Sequence, residues 1–282
     1  MFGSHLSIAG GMHHAVEAAE ALGLDTVQVF TKNQQQWKCK PLEAKAVSTW
    51  RAAIERAGFT KTVSHDSYLI NLASPDAALR KKSADLFVEE IRRCDTLGIP
   101  YLVSHPGAHM GAGESAGIKR FVKTLDAVLN RTKKCVGVTV CLEATAGQGS
   151  SLGHRLEHLA EMLTTSKFPE RLGVCLDTAH LFAAGYDFRG KKFPTFWKHL
   201  GETIGHDAIK VMHLNDSKKA LGSRVDRHEH IGLGEIGDDG FTPWLKKRAL
   251  KKVPKILETA KGETDDRESW DAVNLRRLKS LA

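Results

Sequence analysis

Short apolar runs and longer amphipathic stretches alternate along the whole chain. The apolar runs are rich in Val, Ile and Leu and have the length of β-strands. They cover residues 3–8, 26–32, 61–67, 101–107, 138–145, 172–180, 209–217 and 254–260. The stretch 75–98 predicts a helix between two of them, because its apolar residues recur near a helical period and Gly98 follows as a stop signal. Strands that alternate with helices indicate parallel pairing through crossovers.

The number of these units predicts the architecture. Eight strand–helix units in 282 residues match an α/β fold, the (β/α)8 TIM barrel, in number and size. An open doubly wound sheet is the alternative, but no G-x-G-x-x-G motif follows the first strand. No Ser/Pro-rich linker or low-complexity tract divides the chain, so we expect residues 1–282 to form a single TIM-barrel domain.

The charge and the cysteine content restrict the class of protein. The formal net charge is +8 at pH 7, which favours a polyanionic partner such as nucleic acid without requiring one. The five cysteines are odd in number and form no C-x-x-C pair, so neither a disulfide framework nor a thiolate zinc site is expected. The sequence has no long apolar run and no secretory signal, so we expect no membrane association and a cytoplasmic location.

Ionisable side chains lie at the ends of six of the eight predicted strands. All six are His, Asp or Glu: His65, His105, Glu143, Asp177, His213 and Glu258. In a barrel the C-terminal ends of the strands converge on one face, where active sites are built. Any one of these residues could be an ordinary hydrogen-bonded polar group, but six of them at one face predict a metal cluster there.

Three further candidates lie close to these strand ends in sequence. His180 is three residues after Asp177, and Asp226-x-His228 lies in the polar stretch 222–232. His and carboxylate donors without thiolates suit zinc, manganese or iron in an open catalytic site. One catalytic zinc needs about three protein ligands, so the full candidate set predicts two or three metals with bridging carboxylates. Clusters of this kind suit in-line displacement at phosphorus.

Several short motifs carry a resemblance to one known family. In chain order they are "GSHLSIAGG", "FTKNQQQW", "HDSYLINLASP", "SHPG", "LEATAGQG", "DTAHLFAAGYD", "HLNDSK", "GSRVDRHEHIG" and "ILET". Together they resemble the endonuclease IV family of apurinic/apyrimidinic endonucleases. The resemblance implies a TIM barrel with three zinc ions that acts in DNA base-excision repair. It implies hydrolysis of the phosphodiester 5′ to an abasic site in double-stranded DNA, which leaves a 3′-hydroxyl and a 5′-deoxyribose phosphate, and the cleaning of blocked 3′ ends.

The resemblance also implies how the ligands are divided. His65, His105 and Glu143 would bind the first metal. The second metal would share Glu143 and take three more residues: Asp177, His213 and Glu258. Glu143 is the expected catalytic residue, because it and its two metals would position the attacking hydroxide. Zinc is the expected ion, and manganese is possible at some positions.

The third metal would be held by His180, Asp226 and His228, and would help to neutralise the scissile phosphate. Within the same polar stretch, His230 is not carried over as a ligand, because the family commonly has Ser there. Arg227 would point away from its two neighbours in an extended segment and is a candidate for a DNA contact.

DNA contacts are expected from two segments near the first three strands. Tyr68 and Leu69 match the tyrosine and leucine that follow the third strand in the family. They are placed to wedge into the gap at an abasic site, where no base stacking opposes extrusion, and the alternative is that both cover the barrel rim. Four residues of the "KNQQQW" loop are candidate contacts: Lys32, Asn33, Gln34 and Gln35. The chain departs from the family at Gln35, where Arg is common, and at Ala144, where Asn is usual. Ala144 should face away from the metals, since neighbouring strand residues alternate.

Two other functions remain open at this point. A sugar isomerase or epimerase would use one or two metals at the strand ends of a similar barrel, and would not need His180, Asp226 and His228. A DNA-binding protein with an inactive site is the other alternative, against which the full ligand set argues. We expect the active protein to be a monomer that associates with the nucleoid during repair.

Overall fold

Eight parallel strands close into a barrel in the computed structural model, which describes residues 1–282. Strands are labelled in chain order, and β8 Asp216–Ser217 and β9 His228–Glu229 lie outside the barrel. The barrel strands are β1 Phe2–His5, β2 Thr26–Val29, β3 Val63–His65, β4 Tyr101–Ser104, β5 Thr139–Glu143, β6 Leu172–Asp177, β7 Ile209–His213 and β10 Lys255–Leu257. Going round the barrel, their order is β1, β10, β7, β6, β5, β4, β3, β2, so β10 closes the sheet against β1. The (β/α)8 barrel predicted from the sequence is confirmed.

Helices cover the outside of the barrel. They are α1 Met12–Ala21, α2 Ala44–Ala57, α3 Ala77–Leu97, α4 Glu114–Arg131, α5 Leu156–Thr165, α6 Thr178–Ala184, α7 Phe193–Ile204, α8 Asp238–Leu245 and α9 Trp270–Leu281. In α3, the helix predicted from 75–98, Asp76 caps the first turn and Gly98 adopts a left-handed conformation with φ of 73° at the end. No helix is long and apolar enough to span a membrane.

Two apolar layers hold the barrel together. A large cluster of 56 buried residues fills the space between the strands and the helices. A separate cluster of six fills the inside of the barrel: Val63, Val103, Cys141, Cys175, Val211 and Ile256. Each of these six lies two residues before a predicted metal ligand, and residues two apart on a strand share a face. The alternation of the strands therefore directs all six strand-end ligands toward the barrel axis.

The predicted strands 172–180 and 209–217 are shorter in the structure. The first ends at Asp177, because the next residues begin α6. The second ends at His213 and is followed by a short antiparallel pair, β8 Asp216–Ser217 with β9 His228–Glu229. This pair brings the polar stretch 222–232 back to the end of β7, beside the strand-end ligands.

Candidate metal centre

Glu143 lies at the centre of the cluster, at the end of β5. Its Oε2 lies 3.1 Å from His65 Nε2 and 3.0 Å from His105 Nε2. Its Oε1 lies 3.0 Å from His213 Nδ1 and 3.2 Å from His180 Nδ1. The carboxylate is fully buried. Since both oxygens face imidazoles from different strands, Glu143 has the position of a bridging ligand.

The first expected ligand group is brought together in the structure. His65, His105 and Glu143 offer donor atoms that all lie within 4.8 Å of one another. His65 and Glu143 end β3 and β5, and His105 follows the end of β4 by one residue. The three come from neighbouring strands of the barrel, so strand order alone accounts for their meeting.

The second expected group also converges. Donor atoms of Glu143, Asp177, His213 and Glu258 lie within 4.8 Å of one another. His213 Nδ1 is 3.0 Å from Glu258 Oε2 and 3.8 Å from Asp177 Oδ2. Cys175 also lies near Glu143 and His213. Burial raises the pKa of the Cys175 thiol to about 12, and its place in the inner apolar layer gives it a packing role.

The third group forms around Asp226. Its two carboxylate oxygens lie 3.1 Å from His180 Nε2 and 3.3 Å from His228 Nε2. Asp177 also reaches this group, since its Oδ2 lies 3.6 Å from His228 Nε2. The donor atoms of Asp177, His180 and His228 lie within 4.8 Å of one another. The structure therefore brings the three predicted residues together and places Asp177, which was predicted only for the second group, between the second and third groups.

In three of the histidines, one ring nitrogen contacts a backbone carbonyl, which leaves the other nitrogen available to a metal. Nδ1 of His65 donates to the Asp66 carbonyl at 2.9 Å, and Nδ1 of His180 donates to the Ala144 carbonyl at 2.9 Å. Nδ1 of His228 is 3.3 Å from the Glu258 carbonyl. A carbonyl oxygen can only accept, so in the neutral ring the opposite nitrogen carries the lone pair. This is the arrangement that metal-binding histidines typically have.

The donor set fits divalent metal ions. Nε2 of His228 is buried and has no hydrogen-bond partner, and a buried polar atom of this kind needs an explanation. The inward nitrogens face carboxylate oxygens, which cannot donate a hydrogen bond when ionised. A cation between the two sets of lone pairs would satisfy both, and imidazole with carboxylate suits zinc or manganese.

The electrostatics of the cluster favour positive charge at its centre. Burial opposes ionisation of Glu143, but the imidazoles of His105 and His213 outweigh burial and hold the pKa of Glu143 well below its usual value. Burial likewise opposes charge on His213, but Cys175 and the carboxylates of Glu258 and Glu143 outweigh it and raise the pKa of His213 well above its usual value. The carboxylates therefore remain ionised and attract cations.

Two buried amides support the cluster and were missed in the sequence. Gln28 lies within β2 and accepts from Nε2 of His213 at 2.9 Å, while its own Nε2 donates to Glu258 at 2.5 Å. Asn215 donates to Asp177 at 2.7 Å and accepts from the backbone N–H of Glu258 at 2.8 Å. A polar residue in the middle of an apolar strand is the one sequence signal that could have revealed Gln28.

The other residues discussed from the sequence near the cluster lie as follows. His5 ends β1, and its Nδ1 is 3.4 Å from Glu258. His230 stacks on the ring of Trp270 with centroids 3.8 Å apart, away from the metal groups. Ala144 is buried in the outer apolar cluster, as the strand alternation predicts. Arg227 is exposed.

The expected DNA-contact residues occupy the rim beside the cluster. Tyr68 is 68% exposed although its ring meets those of Phe30 and His65 at centroid distances of 5.6 and 5.8 Å. Leu69 and Gln34 are half-buried, and Asn33 and Gln35 are exposed. The Tyr68 ring is therefore held by two aromatic neighbours and still has a large exposed surface, which suits insertion into a gapped duplex.

The structure corrects the expectation for Lys32. This residue is only 7% exposed, and its ammonium donates to the carbonyls of Asn33 at 2.9 Å and Gln36 at 2.7 Å. It also lies 3.8 Å from the buried Glu90 carboxylate. The cation is therefore directed into the protein, where it holds its own loop, and does not reach outward to a phosphate.

Cavities flank the cluster on two sides. One of about 630 Å³ is lined by Tyr68, Phe30, His228, Glu258 and other residues of the rim. A smaller one of about 210 Å³ includes His65 and His105 in its wall. Both cavities therefore lie directly beside candidate ligands.

Comparison with known proteins identifies the family. A family model described as a xylose isomerase-like TIM barrel matches residues 16–281. A protein named "Probable endonuclease 4" from Chloroflexus aurantiacus is 46% identical over 283 residues, which cover 99% of this chain and 97% of that protein. The chain belongs to the endonuclease IV family. The resemblance seen in the sequence motifs is therefore confirmed.

Solved structures agree with this family and show how widely the barrel is shared. Endonuclease IV from Thermus thermophilus is 35% identical with a TM-score of 0.87, over 99% of this chain and 98% of that one. A D-tagatose 3-epimerase-like protein has a TM-score of 0.73 at 20% identity, over 99% of this chain and 96% of that one. The second likeness shows the fold alone, so the barrel does not distinguish an endonuclease from a sugar epimerase. The residues of the site have to make that distinction.

Proposed function

We propose that this endonuclease IV family member is a DNA-repair apurinic/apyrimidinic endonuclease that uses divalent metals. It hydrolyses the phosphodiester 5′ to an abasic site in double-stranded DNA and leaves a 3′-hydroxyl and a 5′-deoxyribose phosphate. The same site removes blocking groups from 3′ ends. The proposal includes a monomeric protein that works inside the cell.

The observation that carries the proposal is the third ligand group. His180, Asp226 and His228 form a possible metal site that is additional to the first two groups, and Asp177 lies between this group and the second. A sugar isomerase requires one or two metals, so a third group favours phosphodiester hydrolysis. We propose zinc at all three groups, three ions per chain, with manganese able to replace it at some of them.

The proposed roles fall to the metal-binding groups, to Glu143 and to the residues that orient the histidine rings. Divalent ions held by these groups would generate a nucleophile from water at neutral pH and neutralise charge on the phosphate. Glu143 is the proposed catalytic residue, because its two ionised oxygens face the first and second groups and fix them relative to each other. Gln28 and Ala144 orient the rings of His213 and His180 through an amide and a carbonyl oxygen.

DNA would be engaged at the rim. Tyr68 and Leu69 are the proposed wedge, and the neighbouring cavity of about 630 Å³ would receive the extruded abasic sugar. Asn33, Gln34 and Gln35 would contact the backbone from the adjacent loop. Arg227 is exposed beside the third group and would contact phosphate.

The deciding experiment uses a duplex with one tetrahydrofuran abasic analogue. The zinc-loaded protein should nick it 5′ to the analogue, a chelator should abolish the cleavage, and elemental analysis should give about three metals per chain, as the three ligand groups require. Glu143→Gln should lose nearly all activity, whereas Glu229→Gln, the same change at a half-buried carboxylate outside the ligand set, should retain it.

Two results would contradict the proposal. An intact duplex after incubation with the zinc-loaded protein would exclude the endonuclease function, and one or two metals per chain would then favour the sugar isomerase. Unchanged cleavage by Glu143→Gln would show that this carboxylate is not part of the catalytic machinery.

A further inference from the structure

Two loops form the rim on which the proposed DNA contacts lie. The first rim segment, residues 31–40, follows β2, and the second rim segment, residues 66–71, follows β3. The segments touch each other directly, because the Ser67 hydroxyl donates to the Gln34 carbonyl at 2.5 Å. Neither segment has regular secondary structure, so its conformation depends on what lies underneath.

One face of α3 lies underneath both segments. Ser83, Glu90 and Arg93 are spaced so that they share this face of the helix, and all three are buried. Ser83 Oγ accepts from the Asn71 backbone N–H at 3.0 Å, at the end of the second rim segment. The polar face is therefore directed at the rim and not at solvent.

Arg93 anchors the first rim segment at both ends. Its guanidinium donates to the Thr31 carbonyl through Nε at 3.1 Å and through Nη2, and Nη1 donates to the Lys40 carbonyl at 3.0 Å. One planar, charged group thus fixes the separation between the first and last residues of the segment.

Glu90 joins the two segments. Its Oε1 accepts from the Ser67 backbone N–H at 3.2 Å and lies 3.8 Å from the Lys32 ammonium. Glu90 is 1% exposed. Burying a carboxylate and an ammonium removes the hydration of both ions, and an apolar residue would fill this space without that loss. The pair therefore indicates a requirement beyond packing.

We propose that Glu90 is a positioning residue that fixes the two rim segments relative to each other and so determines the affinity for damaged DNA. The inference rests on the proposed function. Glu90 holds Lys32, and Lys32 holds the carbonyls of Asn33 and Gln36 from below. The same carboxylate holds the backbone just before Tyr68. A shift of Glu90 would therefore move the loop and the wedge relative to each other, without contact to the metal groups.

The test is Glu90→Gln, with Glu89→Gln as the matched control. Glu89 is the preceding residue on α3, its side chain is 40% exposed, and it approaches only Arg93, at 4.0 Å. Burial raises the pKa of Glu90 to about 7, so the assay is run at about pH 8.5, where the carboxylate is ionised. Glu90→Gln keeps an acceptor for the Ser67 N–H but removes this charge beside Lys32, and KM for the abasic duplex should rise about tenfold. The values of kcat and metal content should stay within about twofold of wild type, because binding but not the metal centre is altered. Glu89→Gln should match wild type in all three.

A second variant covers the case in which Glu90→Gln does not fold. Glu90→Asp keeps the charge but shortens the side chain that reaches the Ser67 backbone N–H, and it should raise KM in the same way. Wild-type KM in either variant that folds, or a fall in kcat at constant KM, would overturn the inference while leaving the proposed function standing. A wild-type protein that does not cleave the abasic duplex would instead overturn the proposed function, and the inference with it.

Discussion

Replacing Gln28 with leucine should weaken metal binding at the group that contains His213. The Gln28 side chain is fully buried. It accepts from His213 Nε2 at 2.9 Å and donates to Glu258 Oε1 at 2.5 Å. Leucine has a similar volume but can neither donate nor accept. The ring and the carboxylate would keep their places on the strands but lose the group that orients both.

The size of the effect follows from these two bonds. A buried donor left without its partner costs about 1–3 kcal/mol, and His213 Nε2 would be such a donor. Since about 1.4 kcal/mol changes an equilibrium constant tenfold, zinc affinity at this group should fall about 10- to 100-fold. Loss of an outer hydrogen bond to a metal ligand typically has an effect of this size. The other two groups do not contact Gln28 and should keep their affinity.

Chelator competition measures this loss directly. At a buffered free zinc concentration where the wild type retains all its metal, Gln28→Leu should lose about one ion per chain, because one group is weakened. Cleavage of an abasic duplex should fall with it and recover in excess zinc. Thr26→Val is the matched control, because it removes a hydrogen bond to the Lys61 carbonyl from the same strand, away from the cluster.

Two outcomes would refute this reasoning. If Gln28→Leu holds zinc as tightly as the wild type, the amide does not orient His213 in the metal-bound protein. If Thr26→Val releases as much zinc as Gln28→Leu, the loss reflects general weakening of β2 and not the bonds to the ligands.

Three further predictions concern the rim and the scaffold. Tyr68→Ala should weaken binding to an abasic duplex by about 1–3 kcal/mol, the usual contribution of one aromatic stacking contact, in a fluorescence-anisotropy titration; equal affinity of Tyr68→Ala and wild type would exclude the wedge. Gly107→Ala should lower the melting temperature, because Gly107 has φ of 89° and a Cβ would meet the side chain of Asn71; an unchanged calorimetric transition would contradict this. Burial lowers the pKa of Lys255 to about 8 from an ordinary 10.5. Between these two pH values the unfolded state binds more protons than the folded state, so the free energy of unfolding should rise with pH there, by about 3 kcal/mol in all. Urea unfolding of Lys255→Met should lack this rise, and an identical pH dependence would refute the assignment.

The convergence of the six strand-end residues could be predicted, because it follows from the two-residue period of the strands. Each apolar residue of the inner layer is followed two positions later by His, Asp or Glu, as at Val63 and His65 or Cys141 and Glu143. Parallel strands in a closed barrel present this pattern at the same end. Residue type, spacing and strand count together were therefore enough to predict that these six side chains meet at one end of the barrel.

The supporting groups could not be predicted in this way, because their partners are set by barrel closure. Gln28 and His213 are 185 residues apart, and they meet because β1 and β10 close the sheet between them. The backbone carbonyl of Ala144, which holds His180, has no side-chain signature at all. Contacts of this kind depend on the path of the backbone, and residue types alone do not record it.

Lys32 shows why a charge in a loop is a weak guide to binding. From the sequence it is a cation in a polar loop next to the expected DNA contacts, and a phosphate contact follows naturally. In the structure a buried carboxylate on α3, 58 residues later, lies close to this cation, and two carbonyls of its own loop accept from it. A loop cation is available to a phosphate only when no buried acceptor lies within its reach. The positive charge available at the rim therefore depends on which helix packs beneath it. Here α3 places Glu90 next to Lys32, so that Lys32 supports its own loop instead of contacting DNA.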